Sequence, residues 1–469
     1  MIFHQLTGLR RVHFVGVGGA GMSGIAEILL DYEIEVSGSD LVASETTRRL
    51  EELGAEVFIG HREENVEGAD LVVFSSAVQG SNLEVAAARR AGIATVRRAE
   101  MLAELMRLKY GIAIAGTHGK TTTTSLTGTM LTEAGLDPTV IVGGRLRVTG
   151  TGARHGRGDF MVVEADEFDR SFLTLAPIIA VITNIDQDHL DTYRDLDEIH
   201  DAFVRFAERV PFFGQVIVCL DDPQVQSILP RLGERRLVTY GLSPQAELTA
   251  VQLEHSGEGT RFVVRHAEQG ELGPVFVPMP GQHNVLNTLA AVAVGRALQL
   301  DLSAIAAAIE KFGGVHRRFE RLGSFRGAAV VDDYAHHPTE VTATLRAVRQ
   351  VYAGRVCAVF QPHLYSRTRD LAAEFGRALL LADMALVADI YGSREQPVAG
   401  VSSDLVVDAA RDSGHRNVER CRDLDGVVER LREEGIGEGD VVMTMGAGDI
   451  YRWGQRLAEM GSQATEAQR

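Results

Sequence analysis

Lysine is nearly missing from this chain. Of its 47 basic residues only Lys109, Lys120 and Lys311 are lysine, so arginine carries almost all the positive charge, and no lysine lies between Lys120 and Lys311. Cysteine is as scarce. Cys219, Cys357 and Cys421 are an odd number, far apart and without Cys-x-x-Cys spacing, so neither a disulfide framework nor a zinc site is indicated and a reducing compartment is. Long apolar runs are missing too. No segment reaches the roughly 18 uninterrupted apolar residues of a membrane span. The apolar run after Arg10 and Arg11 is interrupted by His13 and five glycines through Gly24, unlike a signal peptide. These absences read as a cytoplasmic chain with no membrane span, and a formal net charge of −17 argues against a nucleic-acid partner.

What is present is ample for folding. A hydrophobic share of 45% and a charged share of 24% are those of a globular chain with sizeable cores, and 469 residues predict two to four domains. The first hundred residues alternate strand and helix patterns, from the strand Val12–Val15 and the helix Met22–Leu30 to the helix Leu83–Ala91. That alternation implies a parallel sheet with crossover helices. Between the first strand and helix stands Gly-Val-Gly-Gly-Ala-Gly-Met-Ser-Gly at 16–24. Gly16, Gly18, Gly19, Ala20, Gly21, Met22 and Ser23 form a dinucleotide-type phosphate turn there, with Asp40 about twenty residues on after the second strand.

Residues 114–122, Ile-Ala-Gly-Thr-His-Gly-Lys-Thr-Thr, are more specific. An apolar strand enters them and a helical run leaves, the setting in which backbone N–H groups and a helix N-terminus wrap a triphosphate. Gly116, Thr117, His118, Gly119, Lys120, Thr121 and Thr122 are therefore expected around ATP or GTP, with Lys120 as the cation and Thr121 as a hydroxyl for Mg²⁺. The loop is a shortened variant, because Ile114 stands where the first glycine of the longer pattern falls. A second nucleotide loop also argues against a plain dehydrogenase, which needs no triphosphate grip, and so against NAD.

Two apolar strands after this loop end in acid, Phe160–Val163 running into Glu164-Ala165-Asp166-Glu167 and Ile178–Thr183 into a stretch that includes Asp188-His189-Leu190-Asp191. Ligands of open α/β sheets bind beyond the carboxyl ends of strands, so these are positions for metal chemistry. Any single one of them could equally be a solvated loop or a helix cap. From Val315 the pattern starts again as a third parallel α/β unit, with Arg317-Arg318-Phe319-Glu320, Asp332-Asp333-Tyr334-Ala335-His336-His337-Pro338 and Gln361-Pro362-His363-Leu364-Tyr365-Ser366-Arg367-Thr368. The polar tail after Met460 is expected to fray.

In this order, and with Gly281-Gln282-His283-Asn284-x-x-Asn287, the motifs resemble those of the Mur ligases, the ATP-dependent amide ligases of peptidoglycan precursor synthesis. The resemblance covers essentially the whole chain. It implies three α/β domains: a Rossmann-like UDP-sugar domain at 1–107, a P-loop ATP domain at 108–314, and a Rossmann-like domain at 315–469 that closes on ATP and the amino acid. Gly-Met-Ser-Gly in the first loop and Gln-Pro-His-x-Tyr-Ser-Arg-Thr at 361–368 favour the alanine-adding branch, although family members often carry Arg where this chain has Leu364. The implied partners are UDP-N-acetylmuramate, L-alanine and ATP with Mg²⁺, two ions expected, and a monomer or weak homodimer.

The resemblance also implies roles. Asp40, Ser75, Ser76 and Arg98 are candidates for the uridine pocket, each equally able to be a cap or surface residue. Lys120 bridges phosphate oxygens, Thr121 and Glu164 hold one Mg²⁺, and His189 holds a second, an unusual ligand for so hard an ion. His283, Asn284 and Asn287 fall at helical spacing, Asn284 being the one favoured for adenine, and capping is the alternative for all three. Arg318 suits a transferring phosphate. Arg317 is either a phosphate contact or a salt bridge, and Asp332 belongs to the same ATP group. Tyr334, His336, His337 and Arg367 mark the amino-acid and acyl-phosphate region, with at most one histidine reaching the chemistry. Several relatives use a carbamylated lysine in the central domain, and the gap between Lys120 and Lys311 leaves none to carbamylate. Two other readings are open at this level. One is a sister ligase, such as the tripeptide-recycling ligase or a folylpolyglutamate synthetase. The other is a P-loop switch that hydrolyses ATP without ligation, to which Glu164, His189 and the third unit offer nothing useful.

Overall fold

Three sheets form where strand and helix patterns alternate. The computed structural model describes residues 9–75, 78, 81–143, 152–188, 192–233, 235–393 and 395–467, apart from the side chains of Ala20 and of residues 464–467. The first sheet has five parallel strands in the spatial order Glu56–Ile59, Glu35–Asp40, Arg11–Val15, Leu71–Phe74, Ala94–Arg97. Chain direction across the sheet reverses at Arg11–Val15, so a crevice opens at the carboxyl end of that strand, where the first glycine loop sits. The corner is tight. A Cβ on Gly38 would lie 2.7 Å from Cβ of Val17, so only glycine lets the second strand pass beneath the loop.

The second sheet has ten strands, in the order Gly270–Val277, Gly259–His266, Leu248–Ser256, Leu237–Gly241, Gln215–Cys219, Ile179–Ile182, Tyr110–Ala115, Phe160–Glu164, Thr139–Ile141, Ala153–Arg154. Its middle is parallel, and Tyr110–Ala115 runs between the two acid-ended strands. Helix Leu196–Ala207, capped by Asp195, buries Phe203 and Phe206 against Phe172 at ring-centroid distances of 5.4 and 5.1 Å. Each such burial contributes about 1.5–3 kcal/mol. Strands 248–277 were not foreseen. Their two- and three-residue connections are too short for the crossovers of a parallel sheet, so they extend it as a meander. Val12 and Phe14 of the first sheet and Ala113, Ile182 and Val218 of the second belong to one continuous core.

The third sheet orders its strands Glu320–Phe325, Ala328–Asp333, Val441–Met445, Val356–Phe360, Met384–Val387, Val418–Arg420. It departs from the all-parallel expectation at its first strand, which pairs antiparallel with the second. Arg326 and Gly327 turn the chain with φ of 53° and 89°, the two positive values that a two-residue hairpin of matching twist needs. The tail departs as well, since a helix runs from Tyr451 to Ala467 instead of fraying. It buries Leu457 in the core, and at Gly461 a side chain would overlap the Ser324 carbonyl, so glycine permits the close approach.

The described residues cluster into two compact units. The first takes in the chain up to Gln252 with Phe262–Phe276 and Leu286–Val315, and the second Leu253–Arg261, Val277–Val285 and the chain from His316 on. Among the described residues no helix is long and apolar enough to cross a membrane. The corner at Gly38 makes a direct expectation. Gly38→Ala forces overpacking against Val17 and should lower stability by about 1–3 kcal/mol, read as a lower thermal midpoint; an unchanged midpoint would mean that the corner relaxes freely.

Candidate functional site

The phosphate loop is shaped by its glycines. Gly116 has φ of 136° and Gly119 of 80°, and a Cβ on Gly119 would sit 2.5 Å from Oδ1 of Asn287, so both positions require glycine. The second acid-ended strand braces the loop from one side. Thr117 N–H donates to the Asn184 carbonyl at 3.1 Å, His118 N–H to Asn184 Oδ1 at 2.7 Å, and Thr183 Oγ1 to the His118 carbonyl at 2.7 Å. His118 Nε2 lies 2.9 Å from Asp186 Oδ2. From the other side, Thr123 Oγ1 donates to Asn287 Oδ1 at 3.2 Å. Helix Lys120–Glu133 then begins at Gly119 with no side-chain cap, which leaves its N-terminus an anion site.

The first acid-ended strand supplies charge. Lys120 Nζ donates to Glu167 Oε2 at 2.7 Å and lies 3.7 Å from Asp166 Oδ1. Burial opposes the ammonium, but Glu167, Asp166 and Glu164 outweigh it and raise the lysine pKa, so the cation persists at any physiological pH. Burial pushes Glu167 up to about 7 against the pull of Lys120, and Glu164 upward in the same way. Glu164 Oε1 accepts from Thr121 Oγ1 at 3.0 Å and its Oε2 from Gly143 N–H at 2.7 Å. A hydroxyl and a carboxylate held face to face are hard oxygen donors of the kind Mg²⁺ takes. Thr122 is buried on the same helix.

In the N-terminal sheet, Gly16 and Val17 N–H donate to the Ser39 carbonyl at 2.8 and 2.9 Å, and Gly18 N–H to Asp40 Oδ2 at 2.9 Å. Gly19 begins helix Ala20–Asp31 with no side-chain cap. Met22 and Ser23 on its first turn are buried. A Cβ on Gly21 would lie 2.9 Å from Nη1 of Arg98, so the guanidinium rests against the loop. Of the uridine candidates, Asp40 and Arg98 thus meet the loop, Ser75 follows the neighbouring strand Leu71–Phe74, and Ser76 lies outside the described residues. His189, with Leu190 and Asp191, also lies outside them.

The second unit holds the remaining candidates. Arg317 donates to Asp332 Oδ2 at 3.0 Å and to the carbonyls of Gly448 and Gly446 at 3.0 and 2.5 Å, and lies over the rings of Tyr334 and Tyr451. Its fork is therefore engaged inside the fold. Asp332 is committed likewise, accepting also from Thr444 Oγ1 at 2.6 Å, and burial raises its pKa. Arg318 lies over Tyr334 and 3.8 Å from Glu340. The adjacent histidines diverge. His337 caps helix Pro338–Val351, its Nδ1 accepting from Thr339 N–H at 3.4 Å, while His336 stands edge-on to Tyr334 and His363. Arg367 Nη1 lies 3.3 Å from His363 Nδ1. Asn284 Nδ2 donates to the Pro280 carbonyl at 2.8 Å, just ahead of helix Gln282–Ala297. Burial and then Arg318 lower His283 to about 4, which keeps it neutral.

Sequence reasoning marked the stretches around Glu167, Asn184 and Asp186 for metal chemistry without singling out any of the three, and it gave His363 no role. Their signal was position at a strand's carboxyl end, which does not say which side chain turns inward. Lys109 donates to the carbonyls of Gly156 and Gly158 at 2.6 and 2.8 Å, and Lys311 pairs with Glu133 at 2.7 Å.

Three family models match in the order of the three sheets: "Mur ligase family, catalytic domain" over residues 11–110, "Mur ligase middle domain" over 114–295, and "Mur ligase, glutamate ligase domain" over 317–448. The chain is 52% identical to the UDP-N-acetylmuramate–L-alanine ligase of Syntrophotalea carbinolica, over 96% of this chain and 98% of that one. It is 53% identical to the ligase of the same name from Sorangium cellulosum, over 94% of each. Among solved structures it is similar to the UDP-N-acetylmuramate–alanine ligase of Thermotoga maritima, with a TM-score of 0.80 at 28% identity, covering 97% of this chain and 99% of that one.

The placement of Arg317 is open to test. Arg317→Ala strands the buried Asp332 carboxylate and two glycine carbonyls, so it should destabilise the second unit by about 3–5 kcal/mol, seen in chemical denaturation. Wild-type stability in that variant would return Arg317 to the phosphate-contact reading.

Proposed function

The chain belongs to the Mur ligase family, and from that premise we infer that it is an ATP-dependent ligase joining L-alanine to the lactyl carboxylate of UDP-N-acetylmuramate in peptidoglycan precursor synthesis. The observation that carries the chemistry is the phosphate loop, where Lys120 is held as a buried cation beside the paired Thr121 and Glu164. Such a site is built for phosphoryl transfer, in which positioning and charge neutralisation dominate. The lactyl carboxylate oxygen attacks the γ-phosphorus, the β,γ-bridging P–O bond breaks and ADP leaves. The amine of L-alanine then attacks the acyl carbon, the C–O bond to phosphate breaks, and phosphate and a proton depart.

We assign residues 1–107 to the UDP-sugar, 108–314 to ATP and 315–469 to the amino acid. The glycine loop at 16–24, closed by Asp40 and overlain by Arg98, cradles the diphosphate of a nucleotide sugar and not NAD. Lys120 and the N–H groups at the start of helix Lys120–Glu133 hold the β- and γ-phosphates. Thr121 and Glu164 would hold Mg²⁺, which neutralises charge developing on the transferring phosphoryl group. His189 is assigned to a second ion. Arg318 orients the acyl phosphate, and Tyr334, His336 and Arg367 line the amino-acid side. Support for an unmodified second metal site comes from Lys109 and Lys311, both engaged elsewhere. Substrates that are cytoplasmic nucleotides make the cytoplasm the proposed location.

Incubation with UDP-N-acetylmuramate, ATP, Mg²⁺ and L-alanine should yield ADP, phosphate and a nucleotide sugar heavier by one alanyl residue, identified by mass. Lys120→Ala should lose more than 90% of turnover, since removing such a clamp costs about 2.7–4 kcal/mol or more, while the fold survives because Glu167, already pushed up to about 7 by burial, takes up a proton once its partner is gone. Turnover near wild type would sink the phosphate-loop assignment. Activity should also be indifferent to removal of CO₂ and bicarbonate; restoration by bicarbonate after depletion would reveal a carbamylated lysine.

A further inference from the structure

Beneath the glycine loop lies a buried polar cluster that the ligase reaction does not use. Glu84, fully buried on the first turn of helix Leu83–Arg90, accepts from Ser39 Oγ at 2.5 Å and Asn65 Nδ2 at 2.5 Å, and from Arg62 N–H at 3.4 Å. His61 Nδ1 lies 3.0 Å from its Oε2 and His13 Nε2 3.8 Å. Burial opposes ionisation, but the polar groups of His13, Ser39 and Asn65 prevail and hold the carboxyl at about 2. A carboxylate sealed in a fold is costly unless it is paired, so its bonds to Ser39 and Asn65 fix the atoms that make them.

One of the two atoms it holds most closely is Ser39 Oγ, the other being Asn65 Nδ2. The Ser39 carbonyl receives the N–H groups of Gly16 and Val17, and the next residue, Asp40, receives that of Gly18. Asn65, the other close partner of Glu84, also donates to the Gly60 carbonyl at 3.2 Å, and Gly60 N–H donates to the Asp40 carbonyl at 2.8 Å. Two chains of bonds thus run from one carboxylate to the residues that set the glycine loop. We propose that Glu84, acting through Ser39, is the positioning residue that holds the glycine loop in its nucleotide-binding shape. It rests on the reading of that loop as the UDP site, touches no substrate itself, and adds a residue from a different helix to the site's construction.

The test is calorimetric binding of UDP to the full-length protein, with ATP binding measured beside it. Wild type should bind both. Ser39→Ala removes the link while leaving Glu84 paired by Asn65 and His61, and Glu84→Gln removes the charge. Both are expected to weaken UDP binding about tenfold, the loss of roughly one charge-assisted bond's worth of order, with ATP affinity at the wild-type value. A purely structural role would leave UDP affinity unchanged or weaken both ligands together, and either result overturns the proposal. Should Glu84→Gln fail to fold, Ser39→Ala alone decides. Failure of wild type itself to bind UDP would overturn instead the assignment of the loop.

Discussion

The ion pair of Lys120 with Glu167, at 2.7 Å and almost wholly out of solvent, is the interaction around which the first unit is arranged. A lone buried ammonium is untenable, and a pair this deep holds only if its surroundings supply further partners. They do. Lys120 begins a helix, Glu167 follows the strand Phe160–Glu164, and between them Thr121 is joined to Glu164. The ladder that pairs Phe160–Glu164 with Tyr110–Ala115 therefore sets the spacing of the charges, and the neighbouring Ile179–Ile182 fixes the loop backbone through Thr183 and Asn184. Remove the register of either pairing and the cation loses its partner.

The N-terminal sheet solves a related problem with opposite charge. Here the loop presents N–H groups, which need acceptors beneath them and a reason to face the crevice. The carbonyl of Ser39 and the carboxylate of Asp40 provide the first, and the uncapped start of helix Ala20–Asp31 leaves the rest of the loop's donors available to a phosphate. The two glycine loops thus follow one rule, in which a parallel strand ends, glycine turns the chain, and an uncapped helix N-terminus follows the turn.

The second unit shows how little adjacency in sequence says about adjacency in function. Arg317 and Arg318 are neighbours, yet a φ of 59° at Arg317 turns its side chain inward to Asp332 and the 446–448 carbonyls, while Arg318 lies over Tyr334 near Glu340. His336 and His337 separate in the same manner, one toward Tyr334 and His363, the other into a helix cap. In each pair the two side chains meet different partners.

Much was legible without coordinates. Glycine spacing, strand–helix alternation and acids at strand ends are local patterns, so the two loops, the three sheets and the positions of Lys120, Thr121 and Glu164 could be read directly. What sequence could not determine was direction and distance. Whether Glu164 or Glu167 meets Lys120, whether Arg317 faces a ligand or its own sheet, and that Glu84 reaches Ser39 across 45 residues of chain all depend on which strands pair and in what register. The antiparallel first strand of the third sheet and the helical tail escaped for a similar reason: both are stabilised by packing against parts of the chain far away in sequence, and local propensity carries no record of those contacts.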